Sequence, residues 1–167
     1  YTTLFRSVND NAPIITSNGG GASAAVNVAE NATAVTTVTA TDADLPTQTL
    51  TYSITGGADS ALFTVNATTG ALSFIAAPNY ETPTDADADN VYDVIVQASD
   101  GDGGIDTQAI AVTVTAVNDN APVITSNGGG ATASVAVAEN GNAVTTVTAS
   151  DADLPAQTLV YSIGGGA

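Results

Sequence analysis

The stretch Ile110-Ala111-Val112-Thr113-Val114-Thr115-Ala116-Val117-Asn118-Asp119-Asn120-Ala121-Pro122 carries two signals in succession. In its first half Ile110, Val112, Val114 and Ala116 alternate with their neighbours. A period of two puts successive side chains on opposite faces of an extended chain, and Val, Ile and Thr favour that conformation. Its second half ends the strand with Asn, Asp and Pro, residues that suit turns through local hydrogen bonds or a fixed φ. That ending, Val117 to Pro122, also stands 109 residues earlier as Val8-Asn9-Asp10-Asn11-Ala12-Pro13.

At the same offset Glu30 maps to Glu139, Asp42 to Asp151, Asp44 to Asp153 and Tyr52 to Tyr161. Self-similarity over this length marks a tandem array. The chain is read as a linker, 8–13, a complete repeat, 14–121, and the N-terminal part of a second copy, 122–167. Residues 1–7 contain the only basic residue, Arg6, and have no counterpart in the second copy. They are expected to be a non-native leader and are set aside from the fold.

Inside the complete repeat the alternation recurs at Leu50, Tyr52 and Ile54, and at Tyr92, Val94, Val96 and Ala98. Shorter stretches share a face at Val26 and Val28, and at Thr36, Val38 and Ala40. Phe63 and Val65 lead through residues 66–70 into Leu72 and Phe74, a hairpin signal with Gly70 closing the turn. No segment sustains a 3.6-residue period. Short strands separated by Gly, Pro, Asn and Asp clusters predict an all-β protein, a seven-stranded antiparallel β-sandwich.

Composition narrows the function. The chain has 17 acidic residues and one basic residue, a formal net charge of −16, and no His, Cys, Met or Trp. Nucleophilic chemistry by a Ser–His pair or a Cys, and metal ligation by imidazole or thiolate, are excluded. An acidic surface repels nucleic acid and anionic lipid, so neither is an expected partner. No apolar run approaches the roughly 20 residues of a membrane-spanning helix, so no direct membrane insertion is expected. Oxygen ligands remain, and these suit hard cations such as calcium.

The acids stand mostly at element ends: Asp10, Glu30, Asp42, Asp44, Glu81, Asp100, Asp102 and Asp119. Such ends gather at the two poles of a sandwich, where carboxylates without Lys or Arg repel one another and attract a divalent cation. Short Asp and Asn residues also suit turns for purely local reasons. Six motifs in order go beyond that local reason. Asn-Asp-Asn-Ala-Pro, Ala29-Glu30-Asn31, Asp42-Ala43-Asp44, the hairpin from Phe63 to Leu72, Pro78-Asn79-Tyr80-Glu81 and Ala98-Ser99-Asp100 together resemble the cadherin repeat.

The resemblance implies a Greek-key, immunoglobulin-like sandwich, no enzymatic activity, and calcium bound between successive repeats. One junction would use Glu30 and Glu81, the linker residues Asn118, Asp119 and Asn120, and Asp151 and Asp153 of the next repeat. Asp10, Asn11, Asp42, Asp44 and Asp100 would serve the preceding junction. Ala116 and Asn79 stand where the family usually has Asp, which implies fewer or weaker ions. The same resemblance implies a surface adhesin outside the cell, anchored or secreted. Its partners would be neighbouring repeats of the same chain, other cell-surface proteins, including further copies of itself, or glycans.

Three other readings compete on the residues. Asp85, Asp87 and Asp89 match the start of an EF-hand loop, but Asn90 replaces the Gly at position six and Val96 the Glu at position twelve. The segment therefore reads as a solvated acidic loop. A carbohydrate-binding module would need exposed aromatics, yet Tyr52, Tyr92 and Tyr161 lie on apparent core faces, leaving Tyr80. A purely structural extender needs no ligand at all.

Overall fold

Alternation becomes strand wherever the apolar face finds a partner. The computed structural model describes residues 9–165, so the expected leader 1–7 lies outside the described residues. The strands are β1 (Ile14–Ile15), β2 (Ser23–Ala29), β3 (Ala34–Thr37), β4 (Ala40–Thr41), β5 (Thr51–Gly56), β6 (Phe63–Val65), β7 (Ala71–Phe74), β8 (Val91–Ser99), β9 (Ile105–Thr115), β10 (Val123–Ile124) and β11 (Ala149–Ser150). No α-helix occurs among the described residues; the fold is all-β. The chain divides into two compact units, one reaching to Thr115 and the other starting at Ala116.

In the first unit β2-β9-β8-β5 form one sheet and β3-β7-β6 a second, with β1 and β4 as a separate pair. Both sheets contribute to one core. Tyr92, Val94, Val96 and Ala98 of β8 and Ile110, Val112 and Val114 of β9 are buried together with Val28, Tyr52, Phe63, Leu72 and Phe74. Each large apolar side chain removed from water contributes roughly 1.5–3 kcal/mol. Three rings link the sheets: Phe63 stacks on Phe74 with centroids 4.5 Å apart, and Tyr92 meets Phe74 edge-on at 5.1 Å. Tyr92 also places its hydroxyl to accept the Thr84 N–H at 3.2 Å, so the ring is apolar at one end and bonded at the other.

The expectation of a wholly antiparallel sandwich fails at one pair. β2 runs parallel to β9, from Ser23 opposite Ala109 to Ala29 opposite Thr115. The reason is topological. The linker before β2 enters the unit at one end and β9 leaves it at the other, so the two strands point the same way. Being neighbours, they can pair only in parallel.

The expected hairpin is present. β6 and β7 pair antiparallel, and the Asn66 side-chain oxygen accepts the N–H groups of Thr68 and Thr69, each at 3.0 Å. Gly70 closes the turn with φ +70, and a Cβ there would overlap the Val38 carbonyl oxygen. Gly70→Ala is expected to destabilise the unit by about 1–3 kcal/mol from backbone strain alone. A chemical-denaturation midpoint that does not move would contradict this account of the turn.

The second unit has the same residue types in a different setting. Its β10 and β11 pair as β1 and β4 do, but most of its other described residues are exposed and outside strands. Val38 is fully buried, whereas its equivalent Val147 is 44 % exposed. Tyr52 is 9 % exposed and Tyr161 53 %, so the reading of Tyr161 as a core residue is corrected. The strands that cover the first set, β7, β8 and β9, have no counterpart among the described residues of this unit. Residues 122–167 expressed alone are therefore expected to show no cooperative unfolding in heat or urea. A sigmoidal transition with native-like near-UV dichroism would overturn that.

Candidate functional site

The N-terminal end of the first unit is built around one carboxylate. Asp44, 6 % exposed, accepts the backbone N–H of Asn11 at 2.9 Å and that of Asp10 at 3.2 Å on Oδ2, and the Asn11 side-chain amide at 2.6 Å on Oδ1. Its own N–H donates to Asp42 Oδ1 at 2.9 Å, an Asx turn that follows from the Asp-x-Asp spacing. The other Asp42 oxygen, Oδ2, is buried and has no hydrogen-bond partner. The Asn11 amide holds the Asp44 carboxyl below the ordinary aspartate range, against burial, which pushes it up.

Asp100, also expected at this end, is buried in the turn that follows β8. Its Oδ1 accepts the N–H groups of Asp102 at 2.8 Å and Gly104 at 2.9 Å, closing the turn between β8 and β9. Asn9 then ties that turn to the linker side, donating to Asp102 Oδ2 at 3.1 Å and to Gln48 Oε1 at 3.0 Å. Among the described residues no three of Asp10, Asp42, Asp44 and Asp100 converge closely enough to share an ion as they stand.

At the other end Glu30 is 3 % exposed and its Oε2 accepts the Tyr80 N–H at 2.8 Å. One carboxylate oxygen of Glu30 and one of Glu81 lie within 4.8 Å of each other. Asn79, where the family usually has Asp, spends its side-chain oxygen locally on the Thr82 N–H and hydroxyl, both at 2.9 Å.

The second unit rebuilds the first cradle. Asp153, 2 % exposed, accepts the Asn120 N–H at 3.1 Å and the Asn120 amide at 2.8 Å, and its own N–H donates to Asp151 Oδ1 at 3.1 Å. Asn120 depresses the Asp153 carboxyl as Asn11 does Asp44. Asn120 also donates to Asp119 Oδ1 at 2.9 Å, and Asn118 donates to Gln157. The two cradles are thus local products of the repeated sequence.

Three acidic groups outside the expected set organise the first unit. Asp59, 5 % exposed, accepts the Ala86 N–H at 2.7 Å and the Asp93 N–H at 2.8 Å. Asp106 accepts the Ile15 N–H at 2.7 Å, and Asp102 takes the Asn9 amide. Nothing in the sequence marked Asp59 or Asp106, because their partners are far away along the chain. The loop read as solvated is exposed at Asp87 and Asp89 but not at Asp85. Asp85 is 6 % exposed, and one oxygen each of Asp85, Asp87 and Asp89 lies within 4.8 Å of the others. Repulsion from Asp89, reinforced by burial, pushes the Asp87 carboxyl above its ordinary range.

A family model described as Cadherin domain matches residues 24–117. The chain belongs to the cadherin family. Cadherin-16 of Oryctolagus cuniculus is 34 % identical over 156 residues, covering 87 % of this chain and 18 % of that protein. Protocadherin Fat 1 of Homo sapiens is 36 % identical over 121 residues, covering 70 % of this chain and 2 % of that protein. The chain thus spans a small part of each relative. A solved structure of protocadherin gamma B2 extracellular cadherin domains 3-6 aligns with a TM-score of 0.60 at 28 % identity, over 88 % of this chain and 37 % of that one. The cadherin domain is an adhesion domain of a non-enzymatic family. No helix among the described residues is long and apolar enough to cross a membrane.

The depressed Asp44 carboxyl has a testable consequence in the metal-free protein. A group with a lowered folded value adds stability above its unfolded value, about 3.9, and loses it as pH falls through the folded value. Asn11→Ala should therefore move the Asp44 midpoint upward, followed by carboxyl-region NMR. It should also destabilise the protein at neutral pH, with the deficit fading once pH is below both values. An unmoved midpoint would show that Asn11 does not hold the charge.

Proposed function

We propose that this chain is a segment of an extracellular, cell-surface adhesion protein in which calcium stiffens the junctions between successive cadherin repeats. Residues 14–121 form one repeat, 8–13 its leading linker, and 122–167 the first part of the next. Glu30, Glu81, Asn118, Asp119, Asn120, Asp151 and Asp153 supply one junction. Asp10, Asn11, Asp42, Asp44 and Asp100 supply the preceding one.

The reading rests on one observation: the Asp44 cradle and its copy on Asp153. Each holds a buried carboxylate against the boundary Asn-Asp-Asn segment, and no Lys, Arg or His stands among the described residues. Oxygen atoms so gathered match what calcium takes as ligands. Its role would be mechanical, since an ion bound by separated segments restrains the linker that joins them. The glycan-binding alternative is weakened by Tyr80, which is partly buried against the core. A distal part of the full protein would then engage the adhesion target, whether a protein, a further copy or a glycan.

A chain lengthened to complete the second repeat should become more extended and less mobile with calcium, read by small-angle scattering and NMR relaxation. Extracellular calcium modules bind at roughly 10⁻⁴–10⁻³ M, and about ten times that dissociation constant stabilises by about 1.4 kcal/mol. Asp119→Ala should abolish the stiffening, while Asp87→Asn should leave it intact. No calcium-dependent change in maximum dimension would refute the junction.

A further inference from the structure

The loop between β7 and β8 has features that the junction reading does not use. We propose that Asp85, Asp87 and Asp89 form a calcium site within the repeat itself, additional to the junction ligands.

The loop is held in place before any ion arrives. Asp59 accepts the Ala86 N–H, the Tyr92 hydroxyl accepts the Thr84 N–H, and Asn90 donates its side-chain amide to the Tyr80 carbonyl at 3.1 Å. The Val114 N–H of β9 donates to the Asn90 carbonyl at 2.9 Å, fixing the end of the loop to the sheet. Asp85 is itself positioned by accepting the Asp89 N–H on Oδ2 at 2.7 Å, and Asp89 accepts the Val91 N–H at 2.8 Å.

That arrangement leaves acceptors over. Asp85 Oδ1 is buried and has no hydrogen-bond partner, and the carboxylate faces those of Asp87 and Asp89 across no more than 4.8 Å. Asn90 Oδ1, in the same loop, is likewise buried without a partner. A buried, unsatisfied polar atom is costly, more so when charged, so an oxygen left this way calls for a ligand. Among the described residues there is no Lys, Arg or His to pair with it.

The donor set, carboxylates on one irregular loop, suits calcium's flexible oxygen shell. Calcium takes oxygen ligands at about 2.3–2.6 Å, which allows oxygens on opposite sides of one ion to stand roughly 4.6–5.2 Å apart. Magnesium, at about 2.0–2.1 Å, would require a tighter and more regular cage. The site is not an EF-hand. Val96, at the position of the bidentate Glu, is fully buried in β8, so water must complete the shell.

The test is a calcium titration of the chain followed by backbone-amide NMR. In the wild type the amides of residues 84–91 should shift along a saturable curve below about 10 mM calcium. In Asp87→Asn/Asp89→Asn that curve should weaken by about tenfold or vanish, because two of the three charged ligands are neutralised. The double variant should melt at the same or a higher temperature than the wild type in chelator, since both positions are exposed and their repulsion is gone. Asp119→Asn/Asp151→Asn, which shares no residue with the loop, should keep the loop response, so the two sites fail separately. An unchanged curve in the loop variant, no saturable shift in the wild type, or tighter binding of magnesium than of calcium would overturn the assignment.

Discussion

A buried carboxylate must find donors, and in this chain the donors are almost all backbone N–H groups. With one basic residue in 167, ion pairing cannot organise the loops. Asp44, Asp59, Asp85, Asp100, Asp106 and Glu30 each accept a main-chain N–H instead, and each thereby fixes a turn or ties a loop to a strand. Hydrogen bonds to a charged acceptor are worth more than neutral ones, about 1.5–3 kcal/mol. The strands close the core, but these carboxylates determine where the connections between strands lie. The same scarcity of positive charge that makes them cap the backbone leaves some of their oxygens over, at Asp42 and Asp85.

What could be read from sequence follows the range of the interaction. Alternation at Tyr92, Val94, Val96 and Ala98 needs only neighbours along one strand, and these residues form the buried face of β8. Asn66 and Gly70 act within one turn and were legible for that reason. The parallel pairing of β2 with β9 joins segments some eighty residues apart, and no local pattern distinguishes it from an antiparallel edge. Gln108 is a similar case: it is fully buried in β9, donating to the carbonyls of Ser17 and Gly21, yet in sequence it is a polar residue in an alternating strand. At the candidate site the Asp-x-Asp and Asn-Asp-Asn elements were visible, while Asp59 was not. In the acidic loop the exposure of Asp87 and Asp89 was legible and the burial of Asp85 was not, because that burial depends on how the chain packs around it.

The repeat provides an internal comparison of these two ranges. Thr36 donates to Asn18 and Thr145 to Asn127; the Tyr52 hydroxyl accepts the Ala40 N–H and the Tyr161 hydroxyl the Ala149 N–H, both at 3.1 Å. These contacts survive in the second unit although the core around them does not, since Tyr161 is largely exposed there. These polar contacts therefore follow the local sequence that the two units share, while burial does not.

The parallel pair also decides how the unit would respond to tension. A pull on the segment before β2 and on the segment after β9 acts at opposite ends of two adjacent strands. The load then slides β2 along β9, and the bonds over all their paired positions, from Ser23–Ala109 to Ala29–Thr115, strain together. An antiparallel hairpin pulled from its open end would instead release its bonds one after another. β9 is braced on its other edge by β8, along the register from Ile105–Ser99 to Thr113–Val91. A repeat wired this way resists extension by shear, the mode in which many weak bonds have to fail at once.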